Sequence, residues 1–132
     1  MNRLLFEVPL GDSPKFRADA VLGDSIFEVL PELRDLRRLR ATLLEIAHHM
    51  TGINERRRGI FILDQPHVST NRLLQEWGGL TEIVRPEIHH RLAVVIRQGG
   101  VPDHVIGTLS AQEAESIDAV LENFRLHSAH SA

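Results

Sequence analysis

Apolar and polar positions divide the chain into short segments whose period changes several times. Residues 3–8 alternate imperfectly and run into Pro9-Leu10-Gly11-Asp12-Ser13-Pro14, a turn-forming cluster, before an apolar stretch at 16–22 that stops at Gly23. This pattern predicts an opening strand with a hairpin partner. Ser25 and Glu28 stand at capping-box spacing, which predicts a helix start, and Pro31 then interrupts the first turn so that the helix restarts near it. From there Leu33, Leu36, Leu39, Leu43, Ile46, Ala47 and Met50 recur at helical spacing as far as Thr51-Gly52. This is the clearest amphipathic helix in the chain.

Ile60-Phe61-Ile62-Leu63 and Leu92-Ala93-Val94-Val95-Ile96 are continuous apolar runs, as expected of strands covered on both faces. Between them Leu73, Leu74, Trp77, Leu80 and Val84 form a helical stripe that Ser69 or Thr70 can cap, with Gly78-Gly79 as a place to kink or break. Strand, helix and strand over residues 60–97 make one parallel βαβ unit, because parallel neighbours need a crossover of this length. Residues 104–106 suit a short edge strand. Ser110 and Glu113 form a second capping box, followed by an apolar stripe of Ala114, Ile117, Leu121 and Phe124, with Arg125 and His127 suited to the negative end of the helix. The expected fold is a small single α/β domain over residues 1–132. It has a mixed sheet of four or five strands, three main helices and one parallel βαβ unit.

Composition narrows the chemistry. With 132 residues, 42% apolar and 25% charged, the chain can bury a core and is neither disordered nor a polyelectrolyte. It has no cysteine, which excludes disulfide scaffolds, thiol catalysis, iron–sulfur clusters and cysteine-ligated zinc. Neither a signal sequence nor a membrane span is present in the pattern, so the expectation is a soluble cytoplasmic protein without membrane contact. The net charge of −3 hides a division: residues 33–58 hold seven arginines against Asp35, Glu45 and Glu55, a local +4, while residues 1–32 and 109–132 each carry −3.

In an open α/β sheet, ligands gather beyond the carboxyl ends of parallel strands, here the loops 64–70 and 98–104. Asp64, His67, Asp103 and His104 are of the types that bind a divalent metal, and Ser69 and Thr70 stand at a helix start able to attract a small anion. The spacing matches no established metal motif. A serine hydrolase would use Ser69 or Ser110, but no G-x-S-x-G elbow is present and both serines serve as caps. Phosphate cradles of the G-x-x-x-x-G-K-[ST] and G-x-G-x-x-G kinds are missing too, and no cofactor is implied. The pairs His48-His49 and His89-His90 are adjacent, so on a helix they point about 100° apart and suit solvent or an interface better than one shared ion.

Arg34, Arg37 and Arg38, with Arg56, Arg57 and Arg58 beyond the helix, form a patch able to grip phosphates. Nucleic acid is not the favoured partner, because six aromatics without a tyrosine offer little stacking surface. Arg40 falls inside the apolar arc of its helix, where it must snorkel, pair across a subunit interface, or meet a buried acid such as Glu7. Trp77 serves the core or anchors an interface. The leading reading is a non-catalytic binding or regulatory domain acting as a homo-oligomer such as a dimer. The alternatives are a metal-assisted hydrolase built on Asp64, His67, Asp103 and His104, and a nucleic-acid adaptor using the arginines.

Overall fold

A computed structural model describes residues 3–10, 17–50 and 56–130. The predicted turn at 11–14 and the predicted helix end at Thr51-Gly52 lie outside the described residues. The strands are β1 (Leu4–Pro9), β2 (Arg17–Leu22), β3 (Ser25–Pro31), β4 (Arg58–Asp64), β5 (Leu92–Arg97) and β6 (His104–Ile106). The helices are α1 (Arg37–Met50), α2 (Thr70–Thr81), α3 (Pro86–His89) and α4 (Ala111–His130). All six strands form one sheet in the order β1-β2-β3-β4-β5-β6. The pairs β3–β4 and β4–β5 are parallel, and the other three are antiparallel.

The α/β class is as expected, and the details are corrected. The sheet has six strands rather than four or five, and the described residues contain four helices rather than three. The unit at 60–97 is present, and a second parallel unit precedes it, β3-α1-β4. It was hidden because Ser25 and Glu28 read as a helix cap. Both lie in β3, where Ile26, Phe27, Val29 and Leu30 are all buried between layers. Pro31 ends this strand instead of starting a helix, and α1 begins only at Arg37. Leu33 and Leu36 still belong to the core, from the connecting loop.

The layers follow from alternation. On one face of the sheet Ile26, Leu30, Phe61, Leu63, Val94 and Ile96 meet Leu39, Leu43 and Ile46 of α1 and Leu73 and Leu80 of α2. On the other face Phe27, Val29, Ile60, Ile62 and Val95 meet Ile117, Val120 and Leu121 of α4. Central strands covered on both sides need apolar residues at every position, which explains the unbroken runs of β4 and β5. The stripe of α4 departs from expectation, with Ala114 exposed and Val120 buried. Helix α2 runs through Gly78-Gly79 without a break. Among the described residues no helix is long and apolar enough to cross a membrane.

Candidate functional site

Register brings the carboxyl ends of the three parallel strands into one row, Pro31 beside Asp64 beside Arg97. The next residues turn sharply. Glu32 (φ 49°) and Gln65 (φ 51°) both take the left-handed conformation, yet each still donates its backbone N–H to the neighbouring strand, Glu32 to Asp64 O and Gln65 to Arg97 O, both at 2.8 Å. Non-glycine residues held this way cost of order 1 kcal/mol or more each, so the surrounding bonds must impose the geometry. The loops are tied together: His67 N donates to Leu33 O at 2.8 Å, and Gly99 N to Gln65 Oε1 at 3.0 Å.

Between β3 and α1 this edge opens into a cleft of about 540 Å³ lined by Glu32, Leu33, Arg34, Asp35, Arg37 and Arg38. Asp35 accepts from Arg37 N at 2.9 Å and from Arg37 Nη2 at 2.8 Å, so it caps the helix and neutralises one guanidinium. The Arg37 bonds hold the Asp35 carboxyl below its usual range. Arg34 and Arg38 are exposed and make no ion pair among the described residues. Arg72 of α2 acts electrostatically on Asp35, which places a further cation near the same rim. Ser69 caps α2 by accepting from Arg72 N at 3.2 Å, with Thr70 half-buried behind it. The arrangement can hold a small anion.

The expected arginine patch is split. Arg56, Arg57 and Arg58 lie at the amino end of β4, and α1, whose 14 residues rise about 21 Å, separates them from Arg37 and Arg38. Arg58 faces inward and donates from Nε to Glu113 Oε2 at 2.8 Å. Arg40 is exposed and, with Glu76, Gly79, Leu80 and Ile83, lines a shallow groove of about 270 Å³ between α1 and α2. Its proposed partner Glu7 instead acts on Asp19 and Glu28. Trp77 is half-buried and packs on the core of the α1 and α2 layer.

Asp64, His67, Asp103 and His104 are gathered at the same end of the sheet, as the loop argument expected. Their side chains have other partners or none. Asp64 is buried and accepts Arg125 Nη2 at 3.0 Å, while Asp103 accepts Arg97 Nη2 at 2.7 Å, and His67 and His104 are exposed. Arg97 also pairs with Asp118, and Arg125 therefore fastens α4 to the sheet rather than merely ending the helix. Among the described residues no group of three or more His, Asp or Glu is placed to hold a metal ion.

Two buried acids were missed in the sequence. Glu28 on β3 is buried, and its Oε1 has no hydrogen-bond partner. Burial, followed by the charge of Asp19, pushes its carboxyl up to about 9. Asp19 is also raised, mainly by burial, although Val29 N donates to its Oδ2 at 2.7 Å. The available signal was a charged residue inside each of two apolar strands. No family model matches this chain, and no curated protein or solved structure matches it significantly.

Proposed function

We propose that this chain is a cytoplasmic, non-catalytic binding or regulatory domain that takes a small anionic ligand in the cleft at residues 32–38 and works as a homo-oligomer. The observation that carries the reading is a cleft of about 540 Å³ at the carboxyl edge of parallel strands, with Arg34 and Arg38 unpaired among the described residues on its rim. Planar guanidinium forks match carboxylate and phosphate oxygens, and this edge is where open α/β sheets receive ligands. The stitched, left-handed turns beneath it keep the rim in place before a ligand arrives.

Calorimetric titration with inorganic phosphate tests the site. Replacing Arg34→Ala and Arg38→Ala together weakens binding by about tenfold or more, since charge-assisted bonds contribute roughly 1.5–3 kcal/mol. The melting temperature stays unchanged because both side chains are exposed. Equal affinity in the double variant, or no binding by the wild type, contradicts the reading.

Self-association is supported by the edge strand β1, which exposes Leu5 and Phe6, and by the opposed charge of the basic middle and acidic ends. Sedimentation is expected to show a dimer at high micromolar concentration. A monodisperse monomer there rules the homo-oligomer out.

A further inference from the structure

Asp19 of β2 and Glu28 of β3 meet where the two strands face each other, and the charges of Asp19 and of Glu7 on β1 both add to the burial that makes Glu28 hold its proton. The backbone ladder is weak where they meet. Pairing of β2 with β3 covers Leu22 with Ser25, Val21 with Ile26 and Ala20 with Phe27, and it ends there. Two residues beyond Phe27, Val29 N donates to the side chain of Asp19 at 2.7 Å, a carboxylate standing in for the missing strand carbonyl. On the outer side, β1 and β2 pair at Phe6 with Ala20 and at Val8 with Ala18, and the residue between, Glu7, takes φ 53°. Along the sheet the β1–β2 hairpin thus meets β3 through a short ladder and a pair of acids, and across the sheet, of its strand residues, only the small or modest side chains of Ala18, Ala20 and Leu22 are buried in the core layers.

Two carboxylates offer each other only acceptors, and this is the condition of the buried Glu28 Oε1. A proton on Glu28 turns that contact into an O–H donating to Asp19, leaving a single negative charge that Val29 N–H stabilises. No cation can take the proton's place among the described neighbours. Helix α1, which covers this face, turns Leu39, Leu43, Ile46, Ala47 and Met50 inward. Helix α4 lies on the opposite face, where its buried Glu113 is already bonded to Ser25 and Arg58. Arg17, at the start of β2, donates to the backbone carbonyl of Glu7, at 3.4 Å, and not to a carboxylate.

We propose that Asp19 and Glu28 form a proton-held latch: one shared proton fastens β2 to β3, and its loss as the pH rises frees the β1–β2 hairpin and leaves β3 as an open sheet edge. The direction follows from linkage. In the closed sheet Glu28 keeps its proton up to about 9, whereas a solvated glutamate gives it up near 4.5, so opening releases a proton at any pH between them. The opening equilibrium therefore rises by up to about tenfold per pH unit across that window and levels off above it. The latch is independent of the anion cleft.

Amide hydrogen exchange on the full chain, expressed as protection factors between about pH 5 and 9, reads the latch directly. Protection of residues 17–22 falls as the pH rises, while that of 58–64 stays higher and flatter. Glu28→Gln keeps a donor for Asp19 but has no proton to lose, so its protection factors are pH-independent and exceed those of the wild type at pH 8. Asp19→Asn removes the second charge, and it reduces the slope even if the Glu28 variant does not fold. A flat wild-type profile, an undiminished slope in both variants, or identical behaviour of 58–64 overturns the proposal.

Discussion

Ser25 with Glu28 and Ser110 with Glu113 present the same four-residue spacing, and only the second pair is a helix cap. Glu113 N donates to Ser110 Oγ at 3.1 Å and Ser110 N to Glu113 Oε1 at 2.8 Å, the reciprocal bonds of a capping box. The intervening residues separate the cases, since Ile26 and Phe27 favour a strand and Ala111 and Gln112 a helix. The two glutamates also titrate in opposite senses. Burial alone would raise Glu113, but bonds from Arg58, Ser25 and Ser110 outweigh it and hold its carboxyl below the ordinary range. Its contribution to stability is thus present above that range and lost as the pH falls, whereas Glu28 makes the fold less stable as the pH rises. Glu113→Ala leaves Arg58 and Ser25 without their buried partner. It costs about 3 kcal/mol, readable as a lowered urea midpoint at neutral pH, and a loss below about 1 kcal/mol would show that the pair contributes little.

At the scale of elements, periodicity revealed what was buried on two faces or on one clear stripe. Strands β4 and β5, helices α1 and α2, the short β6 and the final helix are all legible in the pattern. Strand β3 was not, because a buried glutamate and a terminal proline gave seven apolar-rich residues the look of a helix entrance. Losing β3 also concealed the first crossover and the β3–α1 loop, which forms the cleft. Hence the sequence pattern puts Arg34, Arg37 and Arg38 in one patch with Arg56, Arg57 and Arg58, which in the fold occupy the opposite end of the sheet. Loops 64–70 and 98–104 lie at the carboxyl edge, as the two apolar runs before them imply. What sequence spacing does not contain is the choice of partner: Asp64 and Asp103 each meet an arginine from their own fold. Gly78-Gly79 lower helix propensity by about 1 kcal/mol each relative to alanine, and tertiary packing of Leu73 and Leu80 overrides them.

For the molecule as a whole, the charge division in the sequence becomes a spatial one. The basic segment supplies a rim at the carboxyl edge through Arg34, Arg37 and Arg38 and a structural tie at the amino edge through Arg58, while acids from α4 meet Arg58 and Arg97. The ladders of the parallel centre run the length of the strands, whereas the β2–β3 ladder covers only three pairs and stops at the acidic Asp19 and Glu28. The proposed anion rim and the proposed latch therefore lie on different parts of the sheet and are separable by mutation. The most direct measurement of the central claim is a two-dimensional amide NMR titration of the isotope-labelled protein with inorganic phosphate at low ionic strength. The account predicts saturable shifts concentrated at residues 32–38 and at the start of α2. Shifts centred elsewhere, such as at Arg56 to Arg58, or no saturable shift at all, would contradict it.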